Sequence, residues 1–75
     1  MKKTAIKITT TECAGLSATA WIAESELEQA KAEFIAWNEP NSFFRADRFE
    51  KRWFRWEYVE TVCVMERDWH GNLEL

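Results

Sequence analysis

Alternation of apolar and polar positions begins at residue 4. In TAIKITTT (residues 4–11), Ile6, Ile8 and Thr10 fall on one side of an extended chain and Ala5, Lys7 and Thr9 on the other. β-Branched side chains dominate the segment, which predicts a strand. Residues 12–15 end in Gly15, a residue free to take a positive φ, and predict a turn. LSATAWIA (residues 16–23) predicts a returning strand and so a hairpin. The competing reading starts a helix at Ser17, because Ala18, Ala20 and Ala23 favour helix. The hairpin is preferred, since Trp21 and Ile22 suit a strand end and a stronger helix start follows.

That start is Ser25-Glu26-Leu27-Glu28, which matches the capping-box pattern. Leu27, Ala30, Phe34 and Trp37 then recur at spacings of three, four and three, with Ile35 beside them and Glu26, Gln29 and Glu33 opposite. This is the pattern of an amphipathic helix. Residues 38–42, NEPNS, end it, because Pro40 lacks a backbone donor and biases Glu39 away from helix. From residue 54 to 65 the period falls to two. Phe54, Trp56, Tyr58, Val62 and Val64 share one face, interrupted by Glu60. Arg55, Glu57, Thr61 and Arg67 mark the other, mixed with Val59, Cys63 and Met65. The expectation is a long antiparallel strand with one buried face. Gly71-Asn72 signals a turn, after which residues 73–75 add a short edge strand or fray.

Together these elements predict an α+β domain spanning residues 1–75. It has an antiparallel sheet of three or four strands: a β-hairpin, then after the helix a strand, with or without a short C-terminal strand. One amphipathic helix packs on one face. Residues 41–53 have no assigned structure in this reading. A chain of 75 residues buries only about 60% of its unfolded surface, so its core is small. Five Trp and five Phe compensate with large rings, and such rings also serve interfaces.

The net charge of −3 is unevenly distributed. Residues 1–11 carry Lys2, Lys3 and Lys7 and no acid. Residues 12–39 carry Glu12, Glu24, Glu26, Glu28, Glu33 and Glu39 against Lys31. Residues 43–58 are again basic, and the tail is acidic through Glu60, Glu66, Asp68 and Glu74. No uninterrupted apolar core follows the N-terminal lysines, so no secretory signal is expected. No run approaches the roughly 20 apolar residues that span a bilayer. Cys13 and Cys63 lack metal-type spacing and read as reduced, packed thiols of a cytoplasmic protein; both lie in or next to predicted strands, and their meeting across neighbouring strands is the alternative.

Catalytic chemistry finds no foothold. His70 is the only histidine and reads as an exposed turn residue beside Asp68 and Gly71. Tetrahedral zinc would need ligands far apart in sequence. Gly15 and Gly71 make no phosphate loop. No enzyme, metal or cofactor is expected.

Residues 43–58, FFRADRFEKRWFRWEY, hold seven of the eleven aromatic residues and five of the ten Lys and Arg. On a continuous helix Arg45, Arg48, Arg52 and Arg55 would form a guanidinium stripe beside Phe49, Trp53 and Trp56, the makings of a single-strand nucleic-acid surface. The period-two pattern already running at Phe54 argues instead for a junction near Arg52, with loop or short helix before it and strand after. Phe54, Trp56 and Tyr58 then become core under Leu27, Phe34 and Trp37. The candidate partner-binding residues reduce to Arg45, Arg48, Lys51, Arg52 and Trp53. A second candidate is the acidic face Glu24, Glu26, Glu28 and Glu33, a row of carboxylates able to occupy a phosphate-binding groove.

In size, single α+β layout, absence of catalytic residues and segmented charge, the chain resembles the small phage-encoded proteins that act against bacterial defences, such as anti-CRISPR proteins. The resemblance implies stoichiometric inhibition: binding to a host nucleic-acid-handling complex and blocking its nucleic-acid site or a subunit contact. The expectation is thus a non-enzymatic binding protein with a host protein complex as partner. A nucleic-acid-binding protein using residues 45–56, and a generic interaction module or homodimer, stand as alternatives.

Overall fold

The computed structural model describes residues 3–75; Met1 and Lys2, at the start of the basic N-terminal segment, lie outside them. The chain runs β1 (Thr4–Thr11), β2 (Ser17–Ile22), a single 3-10 turn (Glu24–Glu26), α1 (Leu27–Trp37), β3 (Phe43–Arg52), β4 (Arg55–Arg67) and β5 (Leu73–Glu74). All five strands form one antiparallel sheet in the order β2-β1-β3-β4-β5. The expected α+β class holds, with the first hairpin, the helix and the short last strand in their expected places. The sheet has one strand more than the pattern predicted, because residues 43–52 are extended rather than loop or helix.

The period-two signal of β3 is disguised by mixed chemistry on both of its faces. Pairing with β1 places Phe44, Ala46, Arg48 and Glu50 beside Thr10, Ile8, Ile6 and Thr4, on the side that α1 covers. Phe43, Arg45, Asp47, Phe49 and Lys51 face the other way. Each side carries both aromatic and charged residues, so hydropathy alone does not alternate.

The core lies between α1 and the sheet. Ile6, Ile8, Phe34, Phe44, Ala46 and Met65 are its buried side chains, with Leu27, Ala30, Ile22, Val62, Cys63 and Leu73 packed around them. Phe34 meets Phe44 at 5.3 Å between ring centroids, and Trp37 closes on Phe34 edge-on at 6.2 Å. The helix stripe read from Leu27, Ala30, Phe34 and Trp37 is therefore the packing stripe.

Its ends differ from expectation at one point. Ser25 does not cap α1, which has no side-chain cap bond. The Glu26 carboxylate instead accepts the Ala23 N–H at 3.2 Å and closes the 3-10 turn, so the helix starts at Leu27. At the other end Asn38 takes φ 56°, a conformation Asn tolerates better than most residues.

Arg67 secures that end. Only 6% exposed, it donates through Nη2 to the carbonyls of Phe34 and Ile35 and lies 5.4 Å over the Phe34 ring. A cation at a helix C-terminus meets the negative end of the dipole and the carbonyls that lack intrahelical donors. The period-two reading put Arg67 on the solvent side. It belongs to the helix side because it shares the face of Met65 and Cys63, and that is the face α1 covers.

Two bulges interrupt β4 nearer the hairpin tip. Ala46 pairs with Cys63 but Asp47 with Thr61, which leaves Val62 unpaired. Arg48 pairs with Glu60 but Phe49 with Tyr58, which leaves Val59 unpaired. Each extra residue reverses the inward and outward order beyond it, so the second bulge restores the order that the first inverts, and only Glu60 and Thr61 between them change sides. Met65, Cys63 and Glu60 therefore face α1, while Val64, Thr61, Tyr58 and Trp56 face away.

Candidate binding surface

The helix leaves one whole sheet face uncovered, and the pairing register gathers most of the chain's distinctive side chains there. From β2 comes Trp21, paired with Lys7 of β1; from β3 come Arg45, Asp47, Phe49 and Lys51; from β4 come Trp56, Tyr58, Thr61 and Val64. The expectation that Phe54, Trp56 and Tyr58 pack under Leu27, Phe34 and Trp37 is overturned. Trp56 and Tyr58 lie on the open face and remain exposed, and Phe54 sits in a hairpin turn at 97% exposure. The reason is which face α1 covers: the two bulges cancel, so Trp56 and Tyr58 keep the face of Val64, and the helix packs on the opposite one, that of Cys63, Met65 and Arg67.

The aromatic half of this face is one contiguous cluster. Trp21 meets Phe49 at 4.9 Å with rings inclined by 63°, and Trp56 lies 6.2 Å from Trp21. Phe49 meets Tyr58 at 5.9 Å and 79°. Edge-to-face packing of this kind stabilises by about 0.5–1.5 kcal/mol per pair beyond area burial. Between Trp21 and Phe49 the sheet carries only Ala5, opposite Phe49, a side chain small enough for the indole to lean over.

The polar half hangs from Tyr58. Thr61 donates its single hydroxyl proton to Asp47 Oδ1 at 2.7 Å. The Tyr58 hydroxyl, 2.8 Å from Thr61 Oγ1, must then be the donor of that pair. Arg45 donates from Nε to Asp47 Oδ1 at 2.9 Å and from Nη2 to Thr61 at 3.3 Å. Asp47 is buried at the centre of this network. The hydrogen bond to Asp47 is also the main reason the Arg45 guanidinium holds its proton even more tightly than usual.

The sequence-derived site residues divide between surfaces. Arg45 and Lys51 belong to the open face. Arg48 points to the helix side, where it bridges Glu24 and Glu60, and the hydrogen bond to Glu24 is the first cause of its raised pKa. Arg52, on the helix side by alternation, lies 3.7 Å from Glu57, whose other oxygen is 3.6 Å from Arg55. Trp53 is at the tip of the β3–β4 hairpin, 85% exposed and at φ 60°. The five residues do not converge on one spot.

The acidic set is also split. Glu24 is tied to Arg48 and to the Thr4 hydroxyl, Glu26 closes the 3-10 turn, Glu28 pairs with Lys31, and Glu33 accepts from Gln29. Trp21 was not among the predicted site residues. Its signal was present, since Trp21 and Ile22 are adjacent in a strand and only one of them can face the helix.

The remaining reactive groups stand apart. Cys13 and Cys63 are free thiols at separate places, Cys63 half-buried in β4 and Cys13 exposed in the β1–β2 turn rather than packed. His70 is exposed in the turn before β5, where Asp68 accepts the backbone N–H of both His70 and Asn72 at 2.9 Å. Among the described residues no three His, Cys, Asp or Glu are grouped to hold a metal ion, and no helix is long and apolar enough to cross a membrane.

Comparison with protein-family models, curated proteins and solved structures finds no match to this chain.

Proposed function

We propose that this protein works by binding another protein, without catalysis, and that the open sheet face is its contact surface. The observation that carries the reading is the exposed cluster Trp21, Phe49, Trp56 and Tyr58. Aromatic side chains are enriched at protein interfaces, and Trp and Tyr dominate the few residues that supply most binding energy. Here they stand on paired strands, so little conformational entropy is lost when a partner covers them. The polar network around Asp47 frames the cluster as a ready hydrogen-bonding rim. The biological role we propose, on the likeness to phage-encoded anti-defence proteins, is stoichiometric inhibition of a bacterial nucleic-acid-handling complex, by covering its nucleic-acid site or a subunit contact.

Single-strand nucleic-acid binding is the second reading. It is favoured by Lys7, Arg45 and Lys51 sharing the face with the rings. Two observations weigh against it. Trp21, Phe49 and Tyr58 engage one another edge-on, so their faces are partly occupied and less free for base stacking. Arg45, Arg48, Arg52 and Arg55 each already face a carboxylate that a phosphate would have to displace.

The experiment is affinity capture from a bacterial lysate with the wild-type chain and with Trp56→Ala/Tyr58→Ala. The expected result is a stoichiometric host complex retained by the wild type. Loss of two such anchors, at about 2 kcal/mol each, weakens that complex by roughly a thousandfold. In parallel, tryptophan fluorescence is titrated with single-stranded oligonucleotides at low salt. Saturable quenching that Arg45→Ala/Lys51→Ala removes, without any captured protein, would replace the first reading by the second.

A further inference from the structure

The two outer strands of the sheet are built differently. The outer side of β4, which β5 covers only at Glu66 and Arg67, carries the bulges at Val62 and Val59 and the charges of Arg55, Glu57 and Glu60. Bulges and charges are the devices that stop an edge from pairing with another chain. The outer side of β2 has neither. Ser17–Ile22 reads SATAWI, with no charge, no proline and an uninterrupted register to β1, and five of its six residues are exposed. An unblunted edge of this kind is a template for one more strand.

The geometry points to a second copy of this chain as that strand, paired antiparallel across β2 on a two-fold axis through Thr19. The register follows from the backbone. Glu12 donates to the Leu16 carbonyl at 3.0 Å, so the hydrogen-bonded pairs of the hairpin continue at Ala18, Ala20 and Ile22. The N–H and C=O groups of Ser17, Thr19 and Trp21 therefore point outward. Centring on Thr19 matches Thr19 with itself and Ser17 with Trp21 of the other copy, which uses all three outward residues and forms about six backbone hydrogen bonds.

Registers two residues away use fewer. Centring on Ala20 calls on the Ala23 N–H, which Glu26 already takes, and centring on Ala18 calls on Gly15, which at φ 84° is not extended.

The side chains agree with this register. On the helix side, Leu16, 68% exposed in the single chain, comes opposite Ile22 of the other copy. Ile22 lines an apolar groove of about 360 Å³ with Ala20, Ala30, Phe34 and Trp37, which the helix leaves open toward the β2 edge. Each Leu16 thus reaches the mouth of the other copy's groove. Alanines 18 and 20 face each other without crowding, and no like charges are opposed along the strand. On the open side the two Trp21 α-carbons lie about 14 Å apart, from strand rise and spacing. The dimer so joins two aromatic clusters on one continuous ten-stranded face. The inference does not depend on which partner that face takes.

The test is the mass of the chain in solution by sedimentation equilibrium up to millimolar concentration, for the wild type, Thr19→Lys and Thr19→Glu. Thr19 is exposed and its outward amide serves no bond within the chain, so both variants keep the fold, which circular dichroism checks. The expected result is a dimer for the wild type and at least about tenfold weaker association for either variant alone, because like charges meet on the axis. An equimolar mixture of the two variants recovers a dimer. A wild type that is monomeric at millimolar concentration overturns the proposal, as does a dimer that both substitutions leave intact. If the variants do not fold, amide exchange of the wild type decides. Protection of Thr19 and Trp21 that grows with protein concentration supports the edge pairing, and rapid exchange at all concentrations overturns it.

Discussion

At the scale of single residues, three side chains show how context changes what a residue type means. Arg67 is a charged residue in a nearly sealed position. It is held there by helix C-terminal carbonyls and an aromatic face rather than by water. Asp47 is a buried carboxylate with an exposed arginine as partner, stitched to Tyr58 through Thr61. Cys13 is the third. Its thiol donates to Glu39 at 3.1 Å, and its pKa is raised first by that hydrogen bond, then by desolvation and by repulsion from Glu39 and Glu12. The thiolate is the reactive form, so an exposed thiol held in this way reacts slowly. Alkylation of Cys13 at pH 8 is expected to be slower than that of an unstructured cysteine, and to speed up in Glu39→Ala. Mass spectrometry of the time course measures this, and equal rates in the two proteins would exclude the contact.

At the scale of elements, the β3–β4 hairpin sets the character of the molecule. Its two-residue turn is Trp53-Phe54, with positive φ at Trp53 only, the sign pattern of a type II′ turn. That first position normally belongs to glycine, and a side chain there costs about 1 kcal/mol. Trp53→Gly is therefore expected to raise the unfolding temperature by about 5 °C, less whatever glycine adds to the entropy of the unfolded chain. A melting curve that falls instead would mean that the exposed indole makes contacts worth more than the strain. A bulky aromatic kept in a strained, fully exposed turn is an observation that favours function over stability at this point. Within the same hairpin, the two bulges of β4 cancel, so Trp56 and Tyr58 stay on the face of Val64, while Thr61, between the bulges, is turned onto that face beside Asp47. The aromatic half of the candidate site thus follows from which face the helix covers, and only the Thr61 link in its polar half from strand irregularity.

At the scale of the whole molecule, the protein is elongated, with extents of 44 × 21 × 15 Å and a radius of gyration of 13.3 Å. A compact chain of this length would have about 11 Å. One helix covers the middle of a five-stranded sheet, so few residues are sealed on both sides. Among the described residues six apolar side chains are buried, so each is a large part of the total stability. Phe44, 1% exposed and at the centre against Phe34, is the clearest case. Phe44→Ala is expected to lose about 3–5 kcal/mol, against a total of about 4–11 kcal/mol for a chain of this size. The variant should be largely unfolded at 37 °C by circular dichroism. A cooperative melt near that of the wild type would show that the sheet draws its stability from elsewhere.

What the sequence determined by itself was local. The first hairpin, the helix and the final turn each declare themselves within a few residues, through alternation, a 3.6-residue stripe or a glycine at positive φ. β1 and α1 also bury a single face, so hydropathy reports their orientation. The candidate site was legible only in part: residues 43–58 stood out in composition, and Arg45 and Lys51 do lie on the open face. What the tertiary structure decided was which way that stretch faces. Phe43–Arg52 is sandwiched between β1 and β4 with mixed chemistry on both sides, so its period is invisible until its neighbours are known. Trp56 and Tyr58 are exposed and Arg67 is buried because α1 packs on the Cys63, Met65 and Arg67 face of β4, and Thr61 joins the open face only through the bulge at Val62. A bulge is a property of two strands paired, and a single extra residue inverts every face beyond it. No reading of one strand alone contains that information.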